Sequence, residues 1–182
     1  MLEIYLCLIS AEYFGGMITR EIYPTGIYHV YNRGTLAMDI FRDQRDYQRF
    51  IIKLFEYKQK YPVELLAYCL MPNHFHLLVK EPEKGMTPEI ANISFLMKVL
   101  LNAYAKYFSC KYKHSGNVFQ GKYKSKFVDT ESYYLHLKEY ILDNPVRAGL
   151  VAKRSDWPYL GLDQFGQQAL LGQQGLLTDK AC

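Results

Sequence analysis

Between Gly26 and Gly34 the chain reads GIYHVYNRG, β-branched and aromatic residues bounded by glycines, and this predicts a strand. The period then changes. Tyr47, Phe50, Ile51, Leu54 and Phe55 recur at three- and four-residue spacing behind Asp43, the pattern of an amphipathic helix with an N-cap. PVELLAYCLM and HFHLLVKE, separated by the turn pair Pro72 and Asn73, predict two strands joined as a hairpin. From Thr87 as N-cap, with Pro88 at the first helical position, a long amphipathic run predicts the longest helix. NVFQGKYKSKFVD predicts a fourth strand, and TESYYLHLKEYILDNP a third helix that starts near Thr130 and stops at Pro145. The order βαββαβ followed by a helix is the split βαβ, ferredoxin-like α+β arrangement: an antiparallel sheet with helices on one face, plus a C-terminal helix.

Composition narrows the class. At 182 residues the chain is long enough for one domain with its own core, and 49% apolar with 22% charged residues excludes a disordered chain. A net charge of +4 tilts the expectation toward a polyanionic partner such as nucleic acid. Cys7, Cys69, Cys110 and Cys182 lack C-x-x-C spacing, which argues against a zinc ribbon and against a secreted disulfide scaffold. The leader MLEIYLCLISAEYFGG carries Glu3 and Glu12 and no basic start, so it fits a signal peptide poorly, and no segment is long enough to span a membrane. The expectation is a cytoplasmic protein. Residues 1–16 read as an N-terminal extension, 17–160 as the domain, and 161–182 as a Gly/Gln-rich tail.

Candidate chemistry enters with HFHLLVK. In a strand, side chains alternate, so Phe75, Leu77 and Val79 belong to the core beneath the helices and His74 and His76 share the face the helices do not cover. Their Cβ atoms then lie roughly 7 Å apart, close enough to close on one metal ion. Alternation alone leaves this reading level with a plain one, in which one histidine is a surface residue and the other incidental. In the third helix, His136, Tyr140 and Asn144 are spaced by four and form one stripe. An amide oxygen at Asn144 can ligate a hard divalent cation, with Tyr140 one turn back as a nucleophile and His136 as a possible proton acceptor. Taken alone, Tyr140 is more readily a core aromatic beside Leu137 and Ile141 than a nucleophile.

Four segments together resemble a known family: YHVYNRG (Tyr28 to Gly34), AYCLMPNHFHLLV (Ala67 to Val79), GNVFQGKYKSKFV (Gly116 to Val128) and YILDNPVRAGLV (Tyr140 to Val151). In content, order and spacing they are similar to the HUH-type single-tyrosine transposases of the smallest insertion sequences and the related repeat-associated tyrosine transposases. The resemblance implies that His74, His76 and Asn144 bind a divalent metal, Mg²⁺ or Mn²⁺, and that Tyr140 is the nucleophile. It also implies the split βαβ fold, and cleavage and rejoining of single-stranded DNA through a 5′-phosphotyrosine. The leader and the tail match nothing in the pattern.

Lys122, Lys124 and Lys126, interleaved with Tyr123 and Phe127, line one face if their segment is a strand. Such a row tracks a phosphate backbone beside rings on which bases stack, or it merely guards an edge strand against aggregation. Arg33 and Arg147 flank the expected site and are further candidates for phosphate contact. The leading expectation is a transposase acting on single-stranded DNA that carries a hairpin, as a monomer or a homodimer. Two alternatives stay open: a domesticated DNA-binding protein that recognises repeat hairpins without mobilising them, and a metal-dependent phosphodiester hydrolase in which Tyr140 is dispensable.

Overall fold

The computed structural model describes residues 22–84 and 91–162. The elements are β1 (Ile27–Arg33), α1 (Gln44–Lys60), β2 (Glu64–Met71), β3 (His74–Lys80), α2 (Asn92–Tyr112), β4 (Lys124–Val128), α3 (Glu131–Arg147) and a short β5 (Leu160–Gly161). The five strands form one sheet in the order β4-β1-β3-β2-β5, and every pairing is antiparallel. Apart from β5, this is the predicted ferredoxin-like order. The leader lies outside the described residues, as do Thr87, Pro88 and the tail beyond Leu162. Gly161, assigned to the tail from sequence, pairs with Tyr68 as the second residue of β5.

Each element forms for a local reason. The Asp43 side chain accepts from the backbone of Asp46, and the Asp46 side chain accepts in return from the backbone of Asp43, so α1 opens with a full capping box. Among the described residues the long helix begins at Asn92, behind Ala91. There the buried Glu81 carboxylate, just past β3, accepts from the backbone N–H of Asn92 (2.6 Å) and Ile93 (3.0 Å). An anion at a helix N-terminus satisfies donors that have no partner within the helix. The fourth strand is shorter than predicted: Gly121 at φ +82° interrupts it, and Phe119 and Tyr123 turn into the core. The third helix does not stop at Pro145 but runs to Arg147. Proline in this last turn forgoes one N–H bond, and Ala148 N–H closes the turn on the Asn144 carbonyl at 2.9 Å.

Helices occupy both faces of the sheet. On one, α1 and α2 press Phe50, Leu54, Leu96, Leu100, Tyr104 and Phe108 against Val30, Phe75, Leu77 and Val79. On the other, α3 sets Leu137 and Ile141 on Ala67, Cys69, Met71 and Leu78. The sequence reading left that second face bare. The docking of α3 there is what brings the distant Tyr140 and Asn144 to the histidines.

Candidate active site

The alternation of β3 holds: Phe75, Leu77 and Val79 enter the larger core, and His74 and His76 share the face of Leu78, beneath α3. His76 is 8% exposed, more enclosed than a histidine on an open face. The two rings lie 5.0 Å apart between centroids and nearly perpendicular, at 82°. His74 Nδ1 is 2.6 Å from Asn73 Oδ1. An amide oxygen only accepts, so this nitrogen carries the proton and His74 Nε2 keeps a lone pair. The Asn144 side chain, buried on the last turn of α3, hydrogen-bonds to His74.

Tyr140 stands one turn before Asn144 with its ring 5.8 Å from that of His76, and it is 40% exposed. Its neighbours Leu137 and Ile141 take the buried side of the helix. The reading of Tyr140 as a core aromatic is therefore set aside by its position. The Arg147 guanidinium lies 5.5 Å from the centre of the Tyr140 ring. Arg33 is paired in register with His74, and its charge is felt there. His136 is exposed, and its Nδ1 donates to the Ser132 carbonyl at 3.1 Å, which engages that nitrogen with the preceding turn.

The basic row is only partly a strand face. Lys124 and Lys126 pair with Tyr31 and His29 and point to the histidine side of the sheet, with Lys126 also 4.7 Å from the centre of the Tyr133 ring. Lys122 precedes β4 and is exposed. One residue at the site was not singled out from sequence. His29 Nε2 lies 2.8 Å from His76 Nδ1, and His29 stacks on Tyr31 with centroids 4.7 Å apart. The signal was present, since alternation in β1 puts His29, Tyr31 and Arg33 on one face and Tyr28 and Val30 on the other.

The electrostatics favour uncharged rings. Burial, and then the neighbouring His29 and His74, lowers the His76 pKa to about 3; burial, and then Lys126, lowers that of His29 to about 4. Burial also lowers His74, helped by Arg33 and opposed by the bond to Asn144. Neutral imidazoles are the form that ligates metals. Among the described residues no three His, Cys, Asp or Glu side chains are grouped to hold an ion. The donors that can do so are therefore His74, His76 and the Asn144 amide, two nitrogens and an oxygen with no ligand charge. Such a set fits a hard six-coordinate cation whose other positions go to water and phosphate better than it fits structural zinc. The cavity of about 490 Å³ lined by Thr25, Pro62, Glu64 and Glu81 sits at the opposite end of the β2–β3 hairpin and takes no part in this site. Among the described residues no helix is long and apolar enough to cross a membrane.

Comparison with known proteins bears on the family and the fold. A candidate REP-associated tyrosine transposase of Haemophilus influenzae is 32% identical over 111 residues, 57% of this chain and 62% of the relative. The REP-associated tyrosine transposase of Escherichia coli is 27% identical over 113 residues, 62% of each. The chain thus spans less than two thirds of the length of these relatives. A solved REP-associated tyrosine transposase bound to a REP hairpin has the same fold, with a TM-score of 0.60 over 85% of this chain and 86% of that one at 20% identity. The family model for IS200-like transposases matches residues 24–144, from the turn before β1 to the asparagine on α3. With that match running through both histidines, Tyr140 and Asn144, the chain belongs to the IS200-like transposase family.

Proposed function

We propose that this protein cuts and rejoins single-stranded DNA by transferring a strand to Tyr140. One observation carries the reading: α3 lays a solvent-accessible tyrosine hydroxyl and a buried amide, one turn apart, beside two neutral histidines of β3. The Tyr140 oxygen attacks phosphorus in line, the P–O3′ bond breaks, and the 3′-oxygen leaves with a proton. The 5′-phosphotyrosine conserves the bond energy, and attack by a 3′-hydroxyl restores both the diester and the free tyrosine. His74, His76 and Asn144 would hold Mg²⁺ or Mn²⁺, which would supply neutralisation of the phosphate charge. Arg147 and Arg33 add fixed positive charge on either side of the reacting phosphate. His136, one turn before Tyr140, is the proposed proton acceptor through its remaining nitrogen; an unchanged pH profile of cleavage in His136→Gln would remove it from that role.

Lys124 and Lys126 extend the positive surface along β4, on the histidine side of the sheet, and are proposed to hold the backbone of the incoming strand. The substrate inferred is single-stranded DNA carrying a hairpin, in keeping with the hairpin on which the solved relative sits. Tyr140 meets His76 of its own chain, which supports a site complete within one copy.

The test is incubation with labelled single-stranded DNA and Mg²⁺ or Mn²⁺, followed by denaturation. A covalent adduct that disappears in Tyr140→Phe supports strand transfer. Cleavage without an adduct points to hydrolysis by water, and retention without cleavage to a binding module.

A further inference from the structure

His29 is the third imidazole of the site and has no part in the chemistry proposed so far. Its Nε2 is 2.8 Å from His76 Nδ1, with both rings buried at 8% exposure. Between two neutral imidazole nitrogens at that distance lies one proton: two would clash, and none would set lone pair against lone pair. The proton belongs either to His76 or to His29, and the choice decides what His76 can do. If His76 Nδ1 donates, its Nε2 presents a lone pair. If His29 donates, His76 carries its own proton on Nε2 and is closed to a cation.

We propose that His29 is a positioning residue that accepts the His76 Nδ1 proton and thereby holds His76 in the tautomer a metal requires. This rests on the reading of His74, His76 and Asn144 as a divalent-metal site. Two further observations support it. Asn73 Oδ1 performs the same service for His74, accepting from Nδ1 at 2.6 Å, so the two rings would present the same nitrogen, Nε2, to one ion. Stacking on Tyr31, with centroids 4.7 Å apart at 29°, fixes the plane of the His29 ring. Metal-bound histidines commonly hand their second N–H to such a partner, and loss of the partner typically weakens metal binding about 10- to 100-fold. A neutral imidazole in this place is a weaker acceptor than a carboxylate, but it adds no negative charge where a phosphodiester must approach.

Two measurements on the full chain test this. The first is long-range ¹H–¹⁵N correlation of the histidine rings at neutral pH without metal; the second is Mn²⁺ affinity from the electron paramagnetic resonance of the free ion. The wild type is expected to show His76 protonated on Nδ1. His29→Leu removes the acceptor, and is expected to move His76 toward the Nε2–H form and weaken Mn²⁺ binding about 10- to 100-fold. His29→Gln, with an amide oxygen that accepts, restores the tautomer and most of the affinity. A wild-type His76 protonated on Nε2, or a folded His29→Leu that binds Mn²⁺ as tightly as the wild type, overturns the proposal. Should the wild type show the Nδ1–H tautomer yet bind no Mn²⁺, the metal reading fails while the orienting bond stands.

Discussion

Two of the polar clusters buried among the described residues are built on opposite rules. Between α1 and α2, Asp46 is fully buried, and its two carboxylate oxygens accept from five donors: the backbone N–H of Arg42 and Asp43, the hydroxyls of Tyr107 and Tyr112, and the Lys111 ammonium. Every lone pair has an answer within the fold. Beneath α3, His29 and His76 are buried and His74 half-buried, and the hydrogen bond between His29 Nε2 and His76 Nδ1 engages only one nitrogen of each of those two rings. A cluster that satisfies itself is a fastener between helices; a cluster with capacity left over is where a ligand can add bonds.

The contrast can be broken from either side. The largest effect is expected at the nucleophile. Tyr140→Phe removes one hydroxyl from a partly exposed ring, abolishes the DNA adduct and leaves the midpoint of thermal unfolding within about two degrees, because substitutions away from buried contacts usually stay within ~0.5 kcal/mol. Asp46→Ala does the reverse. It takes the acceptor from two tyrosine hydroxyls and leaves Lys111 with Asp43 as its only carboxylate, and urea titration is expected to show a loss of roughly 1–3 kcal/mol, the cost of leaving such donors unsatisfied. The folded fraction, measured well below the midpoint, should still form adduct at the wild-type rate.

A smaller effect is expected from the lysines on the histidine side of β4. Lys124→Gln with Lys126→Gln should weaken single-stranded DNA binding and reduce the slope of log K against log salt by about 1.4, the counterion release of two contacts. An unchanged slope would return these residues to the role of guarding an edge strand.

The smallest effect belongs to the exposed rim of the Asp46 cluster. Burial alone would raise the Asp43 carboxyl, but bonds from Lys111 and from the backbone of Asp46 and Arg45 outweigh it and hold the pKa below 3.8. A carboxylate whose pKa is lower in the folded than in the unfolded state stabilises above its ordinary range, and this is lost as pH falls through that range. Asp43→Asn, which keeps an acceptor for the helix cap, should therefore cost a few tenths of a kcal/mol at pH 7, less in high salt. The difference from wild type should shrink as the pH is lowered toward 3 in parallel urea titrations.

The legibility of the two clusters in sequence differs as much as their chemistry. Asp43 as the cap of α1 is a local signal, readable from a polar residue ahead of a 3.6-residue apolar period. That it also holds Lys111, 68 positions away, was not readable, because nothing in either segment marks the other. The histidine pair of β3 was recognisable as a pair from strand alternation, and the stripe of Tyr140 and Asn144 from helical spacing. Neither pattern carried the other: the four-segment resemblance joined them, and the packing of Leu137 and Ile141 onto Cys69, Met71 and Leu78 provides the physical connection.

By itself, then, the sequence determined the periodic elements, their order, which residues of β3 face the core, and the segments that carry the family resemblance. These depend on contacts within a turn or a strand, where neighbours in the chain are neighbours in space. The tertiary structure decided that α3 covers the second face of the sheet, that the last helix continues through Pro145, that the long helix starts where Glu81 meets it, and that His29 stands behind His76. Apart from the last turn of α3, which closes on itself, each of these is a pairing across at least ten residues, set by which surfaces bury best against each other, and such a choice is made by the folded chain as a whole rather than by any one segment.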